Sequence, residues 1–137
     1  MLLGQYQTKI NEKGRVALPA KFKKDLGKQL IVTAGYEESI MVIAQKDWQA
    51  VIDKVAVQGS PLEPGRATDR FLFGSAFEVE LDNQGRFVIP RYLRQHAELT
   101  DEIMFVGMGN RAEIWSQTNW NNYSQNISKK VRGLGAK

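Results

Sequence analysis

Polar and apolar positions alternate over residues 5–10: Tyr6, Thr8 and Ile10 fall on one face, Gln5, Gln7 and Lys9 on the other. That period of two predicts a half-buried strand. Residues 11–14 predict a turn, because Asn11 can bond its own backbone two residues on and Gly14 tolerates positive φ. A type I turn closed by a left-handed glycine, the G1 bulge, then returns the chain as a hairpin through a second strand over 15–18. Pro19 ends that strand and presets φ for a first helical position. Residues 20–26 therefore predict a short helix, stopped at Gly27. Unbroken apolar runs over 30–34 and 40–44, separated by a turn over 35–39, predict buried strands. Residues 46–57 predict a helix whose Trp48, Val51, Ile52 and Val55 share one face.

A break over 58–61 precedes a connecting helix over 64–73, and the pattern then runs a second time. Strands over 76–81 and 86–89 flank a turn at 82–85, a short helix covers 91–97, and strands follow at 103–107 and 112–115. Ser116 is a fair N-cap for a last helix over 117–130, and 133–137 is expected to be a loose tail. The recurrence is literal. Gly14 and Gly85, Arg15 and Arg86, and Pro19 and Pro90 are each 71 residues apart, and apolar Val16 and Leu18 are answered by Phe87 and Ile89. Ala44-Gln45-Lys46-Asp47-Trp48 matches Ser116-Gln117-Thr118-Asn119-Trp120 at 72, so one residue is inserted between the two blocks. Each half reads as ββαββα, and neither has enough residues to bury its strands and helices alone. The expected fold class is α+β: two tandem halves in one pseudo-two-fold unit, with both Gly-Arg turns on one face.

The 137 residues, 42% of them apolar, suffice for one domain or for two small halves sharing a core. The absence of cysteine excludes disulfides, thiolate nucleophiles and Cys-type zinc sites. No apolar run approaches the ~18 residues of a membrane span, and the first residues lack a basic and then apolar leader. A cytoplasmic protein with no membrane partner is expected. The net charge of +4 is uneven: residues 1–28 hold six lysines and one arginine against Glu12 and Asp25, a net of +5. That excess surrounds the first turn and favours a polyanionic partner, against the plainer alternative of a solvated basic surface.

Arg15 and Arg86 each follow a turn glycine and open a strand. Such an arginine can fork onto phosphate or guanine. The alternative is that each folds back onto the residue four earlier, Asp82 or the uncharged Asn11, and staples its own turn. The two readings are compatible, since an acid can orient an arginine that contacts a ligand. Lys9, Lys13 and Arg15 surround the first turn, whereas Glu78 and Glu80 precede the second and Gln84 replaces Lys13, so an anionic backbone should favour the first. Lys21, Lys23, Lys24, Lys28, Arg91 and Arg94 read as solvated helix faces, with phosphate steering as the alternative. Lys129, Lys130 and Arg132 suit a helix C-terminus, and Trp48 and Trp120 read as equivalent core anchors. His96 is the single histidine and has no visible triad partners, and Glu78, Glu80 and Asp82 have no second acidic site. No enzyme, cofactor, metal or small-molecule substrate is expected.

The opening Gly4-Gln5-Tyr6-Gln7-Thr8-Lys9-Ile10, the block Gly14-Arg15-Val16-Ala17-Leu18-Pro19 and its echo resemble the MraZ family, over residues 1 to about 123. The echo is Asp82-Asn83-Gln84-Gly85-Arg86, then Ile89-Pro90 and Leu93-Arg94-Gln95-His96-Ala97, and it matches that family's Asp-x-x-x-Arg motif. The family looks like a fused pair of AbrB-type units. The resemblance implies a swapped-hairpin-like β-barrel with flanking helices, built from a repeat over 1–63, a connecting helix over 64–73, a repeat over 74–132 and a flexible tail over 133–137.

It also implies a nucleoid-associated bacterial transcriptional regulator that binds double-stranded DNA sequence-specifically. The targets would be repeated promoter boxes of the division and cell-wall operon, its own promoter included. A ring-shaped homo-oligomer is implied as the assembly, and an antitoxin-like protein-interaction module is the alternative. The implied DNA-binding residues are Thr8, Lys9, Asn11, Lys13, Gly14 and Arg15 in the first copy and Asp82, Gly85 and Arg86 in the second. Arg15 and Arg86 become the contact arginines and Asp82 the orienting acid. Asn11 stands where the family pattern expects Asp; its amide can still accept from Arg15, and the missing carboxylate removes a repulsion toward phosphate. A ring needs a heterologous interface, for which Leu2, Leu3 and the Phe71-Leu72-Phe73 run are candidates, with core packing as the competing role.

Overall fold

The two Gly-Arg turns form as the sequence predicts, but the strands leaving each turn part company and pair elsewhere. The computed structural model describes residues 1–55 and 63–135. The first half holds β1 (Gln5–Lys9), β2 (Arg15–Ala17), α1 (Ala20–Leu26), β3 (Gln29–Ala34) and β4 (Ile40–Ala44), then a 3₁₀ turn (Gln45–Asp47) leading into α2 (Trp48–Val55). Helix α3 (Glu63–Gly74) connects to the second half: β5 (Phe77–Glu80), β6 (Arg86–Val88), α4 (Arg91–His96), β7 (Glu102–Gly107), β8 (Ala112–Ser116) and α5 (Gln117–Gly135). The break expected over 58–61 and the end of the helix expected over 46–57 lie outside the described residues.

Six strands form one antiparallel sheet in the order β1-β7-β8-β4-β3-β5, and β2 and β6 form a separate two-stranded ribbon. The predicted hairpin is therefore corrected: β2 does not return along β1. Strand β1 pairs with β7 of the second half, β5 pairs with β3 of the first, and β2 pairs with β6. The halves thus exchange their first strands. The α+β class holds, but the ladders among the described residues leave β1 and β5 as sheet edges and close no barrel.

The register shows the pseudo-two-fold directly. Val16 stands opposite Phe87, which is its own repeat equivalent, and Met41 stands opposite Glu113. The axis passes through both pairs. Inward residues of the ribbon and its helices, including Val16, Leu18, Phe22, Phe87, Ile89 and Leu93, form one core with the facing side chains of β3, β4, β7 and β8. On the other face of the sheet Met41 and Ile43 pack with Val51 and Leu72, and Val106 and Trp115 pack with Trp120. Burial on both faces explains the unbroken apolar run of β4, all of whose residues are buried. Glu113 is buried beside the axis, where it accepts the Trp115 indole N–H at 3.0 Å. Burial pushes its carboxyl above the usual 4.5, partly offset by that hydrogen bond.

Ser116 caps α5 by accepting the Asn119 N–H at 3.0 Å, and Trp120 and Tyr123 anchor the helix on Trp115 at ring separations of 5.4 and 4.8 Å. So started and held, α5 runs through Gly135. Residues 133–135, expected in a loose tail, are helical, and 136 and 137 lie outside the described residues. Because Phe87 is buried where the two repeats meet, Phe87→Ala should lower unfolding stability by about 3–5 kcal/mol, read from urea denaturation. A loss below about 1 kcal/mol would show that the ribbon contributes little to docking the repeats.

Candidate nucleic-acid interface

Each turn is built by one side-chain oxygen. Asn11 Oδ1 accepts the backbone N–H groups of Lys13 at 3.0 Å and Arg15 at 2.8 Å. Asp82 Oδ1 does the same for Gln84 and Arg86, both at 2.9 Å. The Gly14 N–H reaches the Asn11 carbonyl at 2.9 Å and the Asn11 N–H reaches the Arg15 carbonyl at 3.1 Å, while Gly14 takes φ 84° and Gly85 φ 75°. This is the expected type I turn with its G1 bulge.

The second carboxylate oxygen separates the two copies. Asp82 Oδ2 accepts from Arg86 Nε at 3.1 Å. Asn11 accepts from the Arg15 backbone rather than its guanidinium, and among the described residues the Arg15 side chain has no hydrogen-bond or ion-pair partner. The staple and the free arginine both occur, one in each half. The Asp82 carboxyl is held below its ordinary 3.8, first by the Arg86 N–H; desolvation opposes this, and the Gln84 N–H and the Arg86 side chain add to the lowering.

The ribbon brings the two arginines together. Arg15 lies opposite Val88 and Arg86 opposite Ala17, so all four share the outward face while Val16 and Phe87 point inward. Arg15 and Arg86 are diagonal neighbours, a separation of roughly 7–8 Å along such a ladder. Lys13, Gly14, Asn11, Asp82 and Gly85 surround them on the two turns. Thr8 and Lys9 stand apart on β1, within the six-stranded sheet opposite Ile103 and Glu102.

Two cations join this surface that the sequence assigned by default to solvated helix faces. A Cβ on Gly14 would stand 2.8 Å from the Arg94 guanidinium carbon and 2.9 Å from the Ile89 carbonyl oxygen. At Gly85 it would collide with the Lys23 ammonium end. Lys23 and Arg94 are repeat equivalents, 71 residues apart, and each covers the turn of the opposite repeat. Backbone bonds cross the same way: Ile89 N–H to the Gly14 carbonyl at 2.8 Å and Leu18 N–H to the Gly85 carbonyl at 2.9 Å. The signal in the sequence was the basic pair at equivalent positions; its placement needed the strand exchange. His96, by contrast, packs on Phe71 and meets the Gly35 carbonyl at 3.2 Å.

A family model described as "MraZ protein, putative antitoxin-like" matches this chain twice, over residues 1–71 and 72–132. The chain belongs to the MraZ family. It is 42% identical over 123 residues to the transcriptional regulator MraZ of Carboxydothermus hydrogenoformans, covering 90% of this chain and 86% of that protein. It is 38% identical over 125 residues to the one of Caldanaerobacter subterraneus subsp. tengcongensis, covering 91% and 87%. With that of Natranaerobius thermophilus it shares 38% over 134 residues, 98% and 94% of the two chains. Each of these three relatives is named a transcriptional regulator. Among the described residues no three His, Cys, Asp or Glu side chains could hold a metal ion together, and no helix is long and apolar enough to cross a membrane.

Gly14→Ala meets both a left-handed backbone and a backbone oxygen that cannot retreat, whereas an Ala at Gly27 (φ 76°) meets no atom within 4 Å. Thermal unfolding should show Gly14→Ala destabilised by about 1–3 kcal/mol and more than Gly27→Ala; equal effects would mean that the Arg94–Ile89 cover imposes nothing. A second expectation concerns acid. With its folded pKa below the unfolded value, Asp82 contributes stability that is complete above the unfolded pKa and is lost as pH falls through the folded one. An NMR carboxyl titration should place its midpoint below 3.8, and a midpoint at or above that value would break the proposed staple.

Proposed function

We propose that this MraZ-family chain is a cytoplasmic, nucleoid-associated regulator that binds double-stranded DNA sequence-specifically through the outward face of the β2–β6 ribbon. The observation that carries the reading is the pair Arg15 and Arg86, diagonal on one two-stranded ribbon whose inward face is sealed into the core. A two-stranded ribbon fits a major groove, and arginine can address a guanine edge or a phosphate there. Lys13, Lys23 and Arg94 beside the turns add cations suited to phosphate. The targets are repeated promoter boxes of the bacterial division and cell-wall operon, including the chain's own promoter.

One ribbon offers few contacts. A ring-shaped homo-oligomer would present several, and its avidity would come from effective concentration. Repeated boxes match that arrangement. Swapped-hairpin-like halves, which the exchange of β1 and β5 supports, set the two turns side by side in each subunit. The turns are unequal: among the described residues the Arg15 side chain has no partner, whereas Arg86 is tied to Asp82, and the first turn carries Lys13 where the second has Gln84. The first copy therefore makes the stronger contact. The "putative antitoxin-like" wording of the family model favours a second reading, a protein-interaction module, in which the ribbon meets a protein instead.

The test uses a labelled duplex of the chain's own upstream promoter region against a scrambled duplex, at two salt concentrations. Wild type should prefer the promoter and lose about one log unit of affinity per log unit of salt for each phosphate contacted. Arg15→Ala should weaken binding by roughly tenfold or more, as expected for loss of a contact of about 1–3 kcal/mol, and Arg86→Ala by less. Absence of promoter preference in the wild type would bring the protein-partner reading forward. A larger loss from Arg86→Ala would reverse the assignment of the stronger turn.

A further inference from the structure

Helix α5 is longer than its packing requires. Trp120 and Tyr123 fasten it to Trp115, and Trp120 also donates its indole N–H to the Gln5 side chain at 3.1 Å. Farther along, every residue from Ser128 to Gly135 is exposed, yet the apolar spacing does not stop. Trp120, Tyr123, Ile127, Val131 and Leu134 follow one another at intervals of three, four, four and three residues, which is one stripe along a helix. Ile127 is half-buried, whereas Val131 is 58% and Leu134 69% exposed. The same last turns carry Lys129, Lys130 and Arg132, and the whole helix has no Asp or Glu. Lys129 and Lys130 form no ion pair among the described residues. Cations at a helix C-terminus suit the dipole, but that role does not account for two exposed aliphatic side chains beside them on the stripe that anchors the helix.

A partner for this segment has to accept apolar side chains and carry negative charge. The DNA backbone supplies the charge but offers aliphatic side chains little. An anionic lipid surface supplies both, with acyl chains at the headgroup boundary and phosphates above them. We infer that the C-terminal half of α5 lies on an anionic lipid surface, with Ile127, Val131 and Leu134 turned toward the acyl boundary. Lys130 borders the stripe, so its stem can lie along the apolar boundary while its ammonium meets a headgroup. Lys129 and Arg132 lie farther round the helix and add their charge to the attraction. Two turns give shallow, reversible attachment rather than insertion. The expectation of no membrane partner rested on the lack of a spanning segment, which a helix lying on the surface does not require. Val106 and Trp115 hold α5 on one face of the sheet, whereas Val16 and Phe87 belong to the core on the other. Lipid and DNA would therefore meet opposite sides of the molecule, and the inference does not depend on the DNA reading.

Vesicle flotation of the full chain, without DNA, tests it. Vesicles of equal parts phosphatidylcholine and phosphatidylglycerol should carry the wild type, vesicles of phosphatidylcholine alone should not, and added salt should weaken the attachment. A Val131→Ser/Leu134→Ser variant keeps every charge and leaves the packed part of α5 intact, so its circular dichroism should match the wild type. Its partition onto the anionic vesicles should fall by about tenfold or more. Lys129→Gln/Lys130→Gln should lower it by a similar factor, about tenfold or more. A Lys13→Gln/Arg15→Ala variant should float like the wild type, because the first turn lies across the sheet from α5. A wild type that ignores anionic vesicles would overturn the inference. So would flotation that survives the serine substitutions or is lost with the first turn, since the basic turn would then be the lipid contact. Serine substitutions that change the light-scattering mass but not flotation would also overturn it, by showing that a second copy of the chain covers the stripe.

Discussion

The rest of the structure depends on the short ladder between β2 and β6. It is only three residue pairs long, far too little to hold two repeats by hydrogen bonds whose net worth is about 1 kcal/mol each. Its strength comes from what its inward face buries. Val16 and Phe87, opposite each other at the axis, sit in the same core as Phe22, Leu93 and the inner face of the sheet, and a buried side chain of this size contributes about 1.5–3 kcal/mol. The inward face therefore carries the packing, and the outward face is left with no packing task. Arg15 and Arg86 occupy that face, so the constraint that joins the repeats also aligns their arginines.

Local features of this arrangement were legible in the sequence. Asn11 and Asp82 at turn starts, glycines with positive φ, Pro19 and Pro90 before short helices and the Ser116 cap all act within a few residues, and each appears where its chemistry required. Partner choice was not legible. Alternation in Arg15–Ala17 fixes which side chains face inward but says nothing about which strand lies alongside, and a hairpin with β1 satisfied the same pattern as a ladder with β6. Everything that follows from the exchange was hidden with it, including Lys23 over Gly85 and Arg94 over Gly14. Glu113 was hidden for a different reason. It shares a face with Trp115 two residues on, which the spacing shows, but that this face is covered, by Val51 and Leu72 over Met41 and by Trp120 over Trp115, is decided by distant parts of the chain.

The candidate arginines were legible because duplication repeated them at one offset, and their inequality was partly legible in the change from Asp to Asn. The sequence left open whether the guanidinium of Arg15 would still be held. The geometry decides the matter at the level of single atoms. In both turns one side-chain oxygen accepts the same two backbone N–H groups, so an amide builds the turn as well as a carboxylate does. The other terminal atom governs the arginine. In Asp82 it is an oxygen that accepts from Arg86 Nε; in Asn11 it is an amide nitrogen, which can only donate and so offers a guanidinium nothing.

Turn shape and arginine availability are thus controlled by different atoms of one residue, and one can change without the other. A symmetric homodimer of a single repeat would have to make such a change twice. Fusing two repeats in one chain removes that requirement: the first turn can release its arginine while the second keeps its own tied, on an unchanged ribbon. The same freedom accounts for the flanks, where β1 keeps Lys9 and β5 has Glu80 at the equivalent place. Divergence inside a shared backbone symmetry turns a pair of identical faces into a directional molecule, with one arginine tied to its turn and the other without a partner among the described residues, and with a basic and an acidic side.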